Sequence, residues 1–291
     1  MNRTESEPSR HLWHPVATVA EVNGTLNTML MGDAVTVKVA GDHAGIVAFD
    51  GDRKLPVIVR FGFIWTSLGS PPSGLFEIPE AAEADRRNVS AGPVGVATSA
   101  PRAIENFLDM AHFPFVHTGI LGAEPHTEVK DYEVELKETE DEILATRCRF
   151  FQPMAALSAA GGMEVDYVYR VPHPFCAVLY KSSGADARRM DVIAIFAQPT
   201  GEETIRAHLF LSMIDTTHTD SEMRRFQQLI FGQDKPILEN QRPKRLPLDP
   251  RSETPIRADL SSIVYRRWLS SRNIGYGVIP VAGQSGSALH G

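Results

Sequence analysis

Apolar and polar residues alternate along much of the chain after Thr127. Glu128-Val-Lys-Asp-Tyr-Glu-Val-Glu-Leu-Lys137 and Ile143-Leu-Ala-Thr-Arg-Cys-Arg-Phe-Phe151 carry the period of two expected of half-buried strands. Asp141 and Glu142 mark the turn between them. Residues 167–171, 177–181, 191–196 and 204–211 continue the series with hairpin-sized gaps, which predicts one large antiparallel sheet. The pattern changes at 221–241, the clearest helix. Thr219 or Ser221 caps it, and Glu222 lies in its first turn, where a carboxylate suits the helix dipole. Pro236 should distort this helix just past Asp234. Residues 259–270 predict a final helix. The fold class is therefore α+β, a sheet followed by a long C-terminal helix.

Before Thr127 the pattern is more broken. Residues 36–39, 45–49 and 57–66 predict strands, rich in β-branched side chains and bounded by Gly and Asp. Trp13 is expected to anchor the first strand. Residues 69–74 are a Pro- and Gly-rich loop, 75–95 a linker with a short helix at 81–87, and 242–250 an extended segment. Residues 155–162 are small and suit a mobile loop over a pocket. Residues 1–10 and the Gly- and Ser-rich end from Gly275 should be loose.

One stretch concentrates the chemistry: Ile104-Glu-Asn-Phe-Leu-Asp-Met-Ala-His-Phe-Pro-Phe-Val-His117. Residues three apart share a helix face, so Asn106, Asp109 and His112 predict one polar line on a helix starting near Pro101. Pro114 should end or kink that helix, which frees His117 to meet His112 at one metal. Two neutral imidazoles suit Fe(II), Zn or Cu. His11 and His14 form a second, weaker candidate pair. Phe231 and Gln227 lie three and seven positions before Asp234, on the same face of the 221–241 helix.

Composition narrows the function. The 291 residues are 43% hydrophobic and 22% charged, ordinary for a globular protein. A net charge of −7 gives no reason to expect nucleic acid or an anionic membrane as a partner. No apolar run is long enough to span a bilayer, and the first ten residues lack the apolar core of a signal peptide, so cytoplasm is the default location. The chain has two cysteines, Cys148 and Cys176, read as buried thiols.

The stretch resembles the iron motif of Rieske-type mononuclear non-heme iron oxygenases, Asn-x-x-Asp-x-x-His-x-x-x-x-His, matched at Asn106, Asp109, His112 and His117. The resemblance implies Fe(II) on His112, His117 and a distant carboxylate. Asp234-Lys-Pro-Ile-Leu-Glu-Asn-Gln241 is similar to the segment that supplies it, so the resemblance implies Asp234 as the third ligand and, on the same helix face, Phe231 and Gln227 on the pocket wall as substrate contacts. Asp109 would carry electrons from a Rieske cluster. The implied fold is the helix-grip (Bet v 1-like) catalytic domain. His11-Leu-Trp-His-Pro-Val16 and the end of 57–66 resemble the family's opening and the close of its Rieske domain.

The departure from the family is informative. A Rieske cluster takes two Cys and two His, which the family supplies as Cys-x-His and Cys-x-x-His. Neither Cys148 nor Cys176 has a His at those offsets, and both follow the iron motif. Cluster-binding residues are therefore none. The expected organisation is a truncated β framework without a cluster at 1–95, an iron domain at 96–275 and a flexible tail at 276–291. The resemblance is nearest to the bacterial methylxanthine N-demethylases. It implies an Fe(II)- and O2-dependent demethylase releasing formaldehyde, with N7 of a methylxanthine as the expected position. Electrons would pass from NAD(P)H through the 2Fe–2S Rieske cluster of a partner reductase. An oligomer is expected, and an accessory subunit is a further partner the resemblance allows. Two other readings stay open: oxidation of another aromatic substrate (O-demethylation or hydroxylation), and a catalytically silent subunit.

Overall fold

The computed structural model describes residues 7–39, 45–154, 161–184, 186, 188–249 and 251–281. Seven strands precede the main sheet: β1 (His14–Thr18), β2 (Thr25–Leu30), β3 (Asp33–Val39), β4 (Ile46–Asp50), β5 (Arg53–Leu55), β6 (Val57–Arg60) and β7 (Phe63–Thr66). They form a four-stranded sheet, β2-β3-β4-β5, and a three-stranded sheet, β1-β7-β6. The single strand expected over 57–66 is a hairpin instead. Phe61 and Gly62 both take positive φ, as a two-residue hairpin turn demands. Asp50 pairs with Arg53, so β4 and β5 meet in a tight turn.

The main sheet has seven strands in the order β8-β14-β13-β12-β11-β10-β9, with every neighbouring pair antiparallel. They are β8 (Arg87–Val96), β9 (Glu133–Lys137), β10 (Glu142–Gln152), β11 (Met163–His173), β12 (Cys176–Ser182), β13 (Met190–Gly201) and β14 (Thr204–Met213). β8 corrects the expected linker over 75–95, and the short helix expected at 81–87 is a 3-10 turn at Pro79–Ala82. Sequence alone hid β8 because Gly92, Pro93 and Gly95 punctuate it. Proline is tolerated there because β8 is an edge strand.

Both faces of the sheet are covered, which is why β12–β14 read as near-continuous apolar runs. Alternate residues divide between two cores. Cys176, Val178, Val192, Ala194, Phe196 and Phe210 pack on Trp13, Phe63, Trp65 and Ile78 of the N-terminal segment. Ala177, Leu179, Ile195, Ala197, Leu209 and Leu211 face the other way, toward the helices.

That second face carries α1 (Ala100–Leu108), α2 (Phe113–Val116), α3 (Asp220–Asn240) and α4 (Leu260–Ser271). Thr219 and Glu222 form a reciprocal capping box that starts α3. Its buried residues, Met223, Gln227, Phe231, Asp234 and Leu238, recur at intervals of three and four, one stripe toward the core. The helix continues through Pro236 to Asn240. Two short strands close the chain, β15 (Leu246–Pro247) pairing in parallel with β16 (Val278–Ile279). β16 sets 276–281 apart from the flexible tail expected from 276. Residues 1–6, 282–291 and most of the loop expected at 155–162 lie outside the described residues. Among the described residues no helix is long and apolar enough to cross a membrane.

An ion network ties α1 to α4. Fully buried Arg102 meets Glu105 at 2.9 Å and Glu253 at 2.5 Å, and Arg266 meets the same two carboxylates. Removing one member strands a charge out of water. Arg102→Met should therefore destabilise the fold by about 3–5 kcal/mol, read from denaturant unfolding. A loss below about 1 kcal/mol would show that the network contributes little.

Candidate metal centre

The helix that opens the motif is shorter than its spacing suggests. α1 ends at Leu108, and Asp109 leaves it with extended backbone angles. The cause is local. Asp109 Oδ1 accepts the Ala111 backbone N–H at 2.7 Å, offering the chain an alternative to the next helical turn. The polar line of Asn106, Asp109 and His112 on one helix is thus not formed. Pro114 starts the second helix rather than ending the first, lying in the opening turn of α2.

The result still brings the expected ligands together. His112 stands just before α2 and His117 just after it, and their Nε2 atoms are 3.1 Å apart. Asp234 reaches in from α3, with Oδ1 at 3.0 Å from His117 Nε2 and 3.3 Å from His112 Nε2. One ligand atom from each residue lies within 4.8 Å of the others. His11 and His14 do not form a comparable site. His11 Nδ1 accepts from the Ser70 backbone, and buried His14 donates from Nε2 to the Ser9 carbonyl.

The outer hydrogen bonds fix which ring nitrogens face inward. His112 Nδ1 is 3.1 Å from Asp109 Oδ2, and His117 Nδ1 is 2.9 Å from Gln233 Oε1. Each Nδ1–H donates outward, which turns both Nε2 atoms toward Asp234, the orientation metal-bound imidazoles require. Gln233 was not visible in sequence, since only the turn of α3 beside Asp234 brings it to His117.

The electrostatics ask for a cation. Burial disfavours the imidazolium of His112, yet hydrogen bonds to the Asp109 and Asp234 carboxylates outweigh it and push its pKa up to about 9. Burial likewise opposes the Asp234 carboxylate, but both histidines hold its pKa below the ordinary value. Asp234 Oδ1 is buried without a well-aligned hydrogen-bond donor. A divalent ion relieves the crowded Nε2 pair and this carboxylate together, releasing the proton that His112 otherwise holds. Two imidazoles and one carboxylate, leaving open positions, fit Fe(II).

The centre sits between two cavities. The inner one is lined by His112, His117 and Asp234, by Gln227 and Phe231, and by Asn106, Phe107, Tyr167, Tyr169, Lys181 and Asp191 among others. Gln152 Oε1 and the hydroxyls of Tyr167 and Tyr169 are buried there without partners. The outer cavity is lined by Asp109, Asn106, His112, Glu105, Asn240 and Arg267 among others. Asp109 is 29% exposed there, whereas the His117 side chain is 1% exposed. Asn106 and His112 form part of the wall between the two spaces.

Comparison with known proteins places the chain in a family. The family model described as "Vanillate O-demethylase oxygenase C-terminal domain" matches residues 96–272. The chain is similar to the protein described as "Probable methylxanthine N7-demethylase NdmC" of Pseudomonas sp. (strain TJI-51), 50% identical over 91% of this chain and 95% of that one. Methylxanthine N1-demethylase NdmA of Pseudomonas putida is 26% identical over 91% of this chain and 89% of its own length. A solved structure of Pseudomonas putida CBB5 NdmA with caffeine superposes with a TM-score of 0.74, covering 91% of this chain and 92% of that one at 23% identity. The chain therefore belongs to the vanillate O-demethylase oxygenase C-terminal domain family, and is an oxidoreductase built on the catalytic domain of the Rieske oxygenases.

Proposed function

We propose that the protein is the oxygenase component of a methylxanthine N7-demethylase, with Fe(II) held by His112, His117 and Asp234. The observation that carries this reading is the convergence of two outward-anchored imidazoles and one buried carboxylate oxygen on a single point of the cavity wall. The 50% identity to a described N7-demethylase supports the position of attack. Bound there, iron supplies O2-dependent oxidation of the N-methyl carbon, which departs as formaldehyde while the second oxygen atom becomes water and two electrons are consumed.

The chain's own residues provide the rest. Asp109 and Gln233 hold the two imidazoles in their tautomers. Phe107, Leu179, Ile193 and Phe231 supply apolar walls for a flat ring. Gln227, 8% exposed, both donates and accepts hydrogen bonds, as a purine's carbonyls and ring nitrogens require. Electrons enter from the outer cavity through Asp109, delivered by the Rieske cluster of a separate reductase. The two cysteines support that view: both are buried on the sheet with thiol pKa values raised by burial, on β10 and β12 with β11 between them, and neither belongs to a Cys-x-His pattern. Oligomeric assembly and a cytoplasmic location belong to the same proposal.

The test is turnover of 7-methylxanthine with NAD(P)H, with and without a Rieske reductase. Formaldehyde and xanthine in equal amounts, only when the reductase is present, are expected. A loaded protein that leaves every methylxanthine intact but turns over vanillate would support the O-demethylase reading instead. Gln227→Leu should weaken polar purines more than apolar aromatics, by roughly 10–100-fold, since it leaves polar substrate groups without a partner. An unchanged substrate profile in both Gln227→Leu and Phe231→Leu would remove these residues from the recognition surface.

A further inference from the structure

The pocket-facing side of the main sheet carries a row of polar side chains that the iron chemistry does not use. Tyr167 on β11 pairs directly with Lys181 on β12, and Lys181 pairs directly with Asp191 on β13. Directly opposed residues project to the same face, and all three line the inner cavity. They lie one strand after another from Phe113, whose ring contacts both His112 and His117 on one side and Tyr167 on the other. The row thus begins beside the iron ligands and runs across the cavity wall.

A lysine in such a wall has two uses. Alone, it selects an anion such as an aromatic carboxylate. Neutralised by a carboxylate, it offers hydrogen-bond donors with no net charge and favours a neutral acceptor such as a ring carbonyl. Here the partner is present. Lys181 is 8% exposed and Asp191 6% exposed, and they stand directly opposite on neighbouring strands, so opposite charges face each other in a site poor in water. Asp191 is further fixed, accepting the Ile214 backbone N–H at 2.9 Å. The other charges close to the row are themselves paired, Arg86 with Glu83 and Asp215 with His218. Tyr167 OH, Tyr169 OH and Gln152 Oε1 have no hydrogen-bond partner among the described residues and suit the N–H and C=O edge of a lactam. An apolar aryl ring would leave all of them unpaired, at a cost for each.

We propose that the Lys181–Asp191 pair is the specificity element of this pocket: Lys181 donates to a ring carbonyl of a neutral lactam heterocycle, and Asp191 cancels its charge so that anionic aromatic acids are rejected. This rests on the proposed demethylase reading for the site, but it concerns binding alone and stands or falls separately from turnover.

The experiment is calorimetric binding to the iron-loaded protein under nitrogen, at a pH where the purine is neutral. The probes are 7-methylxanthine, 1-methyluracil and vanillate. Wild type should bind at least one of the two lactams more tightly than vanillate. Lys181→Met should weaken that lactam by roughly 10–100-fold, the loss of one charge-assisted hydrogen bond. Asp191→Asn keeps the shape and the Ile214 contact but frees the lysine charge. It should leave lactam binding within a few-fold while tightening vanillate about tenfold. Because Lys181→Met leaves the buried Asp191 charge without its cationic neighbour, the double variant Lys181→Met with Asp191→Asn is measured beside it, and circular dichroism checks that each variant is folded. The double variant should repeat the lactam loss without the vanillate gain. Lactam affinity unchanged in the double variant, vanillate unmoved by Asp191→Asn, or a wild type that prefers vanillate or binds none of the probes would each overturn the proposal. Binding of 1-methyluracil alone would sustain the pair while removing the purine from the proposed function.

Discussion

Replacing His117 by alanine should strip the protein of iron and end turnover together. His117 is the most enclosed of the three proposed ligands, with 1% of its side chain exposed. Its Nε2 atom faces Asp234 Oδ1 at 3.0 Å and His112 Nε2 at 3.1 Å, so it closes the only three-ligand cluster found among the described residues. The variant leaves two ligands, and no other His, Cys, Asp or Glu is grouped there to replace the third. Iron measured after gel filtration should fall to background while circular dichroism stays native. Gln233→Leu offers a graded control. It keeps all three ligands and removes only the acceptor that orients His117, so metal affinity should weaken by roughly 10–100-fold rather than vanish. Iron retained at the wild-type level in His117→Ala would remove this residue from the ligand set.

The second large effect concerns Asp109. Its two oxygens divide their work, Oδ1 holding the Ala111 N–H at 2.7 Å and Oδ2 facing His112 Nδ1 at 3.1 Å. It also lines the outer cavity, where the inner cavity's ligand Asp234 does not reach. Asp109→Asn preserves size and an acceptor for the turn, so the protein should fold and retain iron. Turnover driven by the reductase should fall by roughly 100-fold, at the upper end of what loss of an outer partner of a metal ligand produces. Hydrogen peroxide separates the two roles the residue can have. It brings the oxygen and both electrons at once and needs no path from a partner. If Asp109 carries electrons, peroxide-driven turnover should match wild type. If it only orients His112, both routes slow alike, and the electron-entry assignment fails.

Much of the centre was legible because its chemistry is compressed into a short segment. His112 and His117 sit five residues apart, and Asp234 lies on a helix whose apolar stripe, with Gln227 and Phe231, can be read from spacing. The sheet from β9 to β14 was legible from its alternation and hairpin-sized gaps. What escaped depends on distant partners or on a side chain competing with the backbone. Asp109 captures the Ala111 N–H, so α1 stops at Leu108 although its sequence would permit another turn. β8 contains Gly92, Pro93 and Gly95 and becomes a strand only because β14 supplies its pairing. Gln233 and the Tyr167–Lys181–Asp191 row owe their places to helix rotation and strand register, which no local pattern encodes.

The central claim, an iron site on a chain that must borrow its electrons, is tested most directly by metal analysis and electron paramagnetic resonance on the same purified sample. A single iron per chain is expected, lost in His117→Ala, with a nearly colourless solution and no Rieske-type signal after dithionite reduction. A reduced 2Fe–2S signal arising from this chain alone, or iron that persists without His117, would contradict the account.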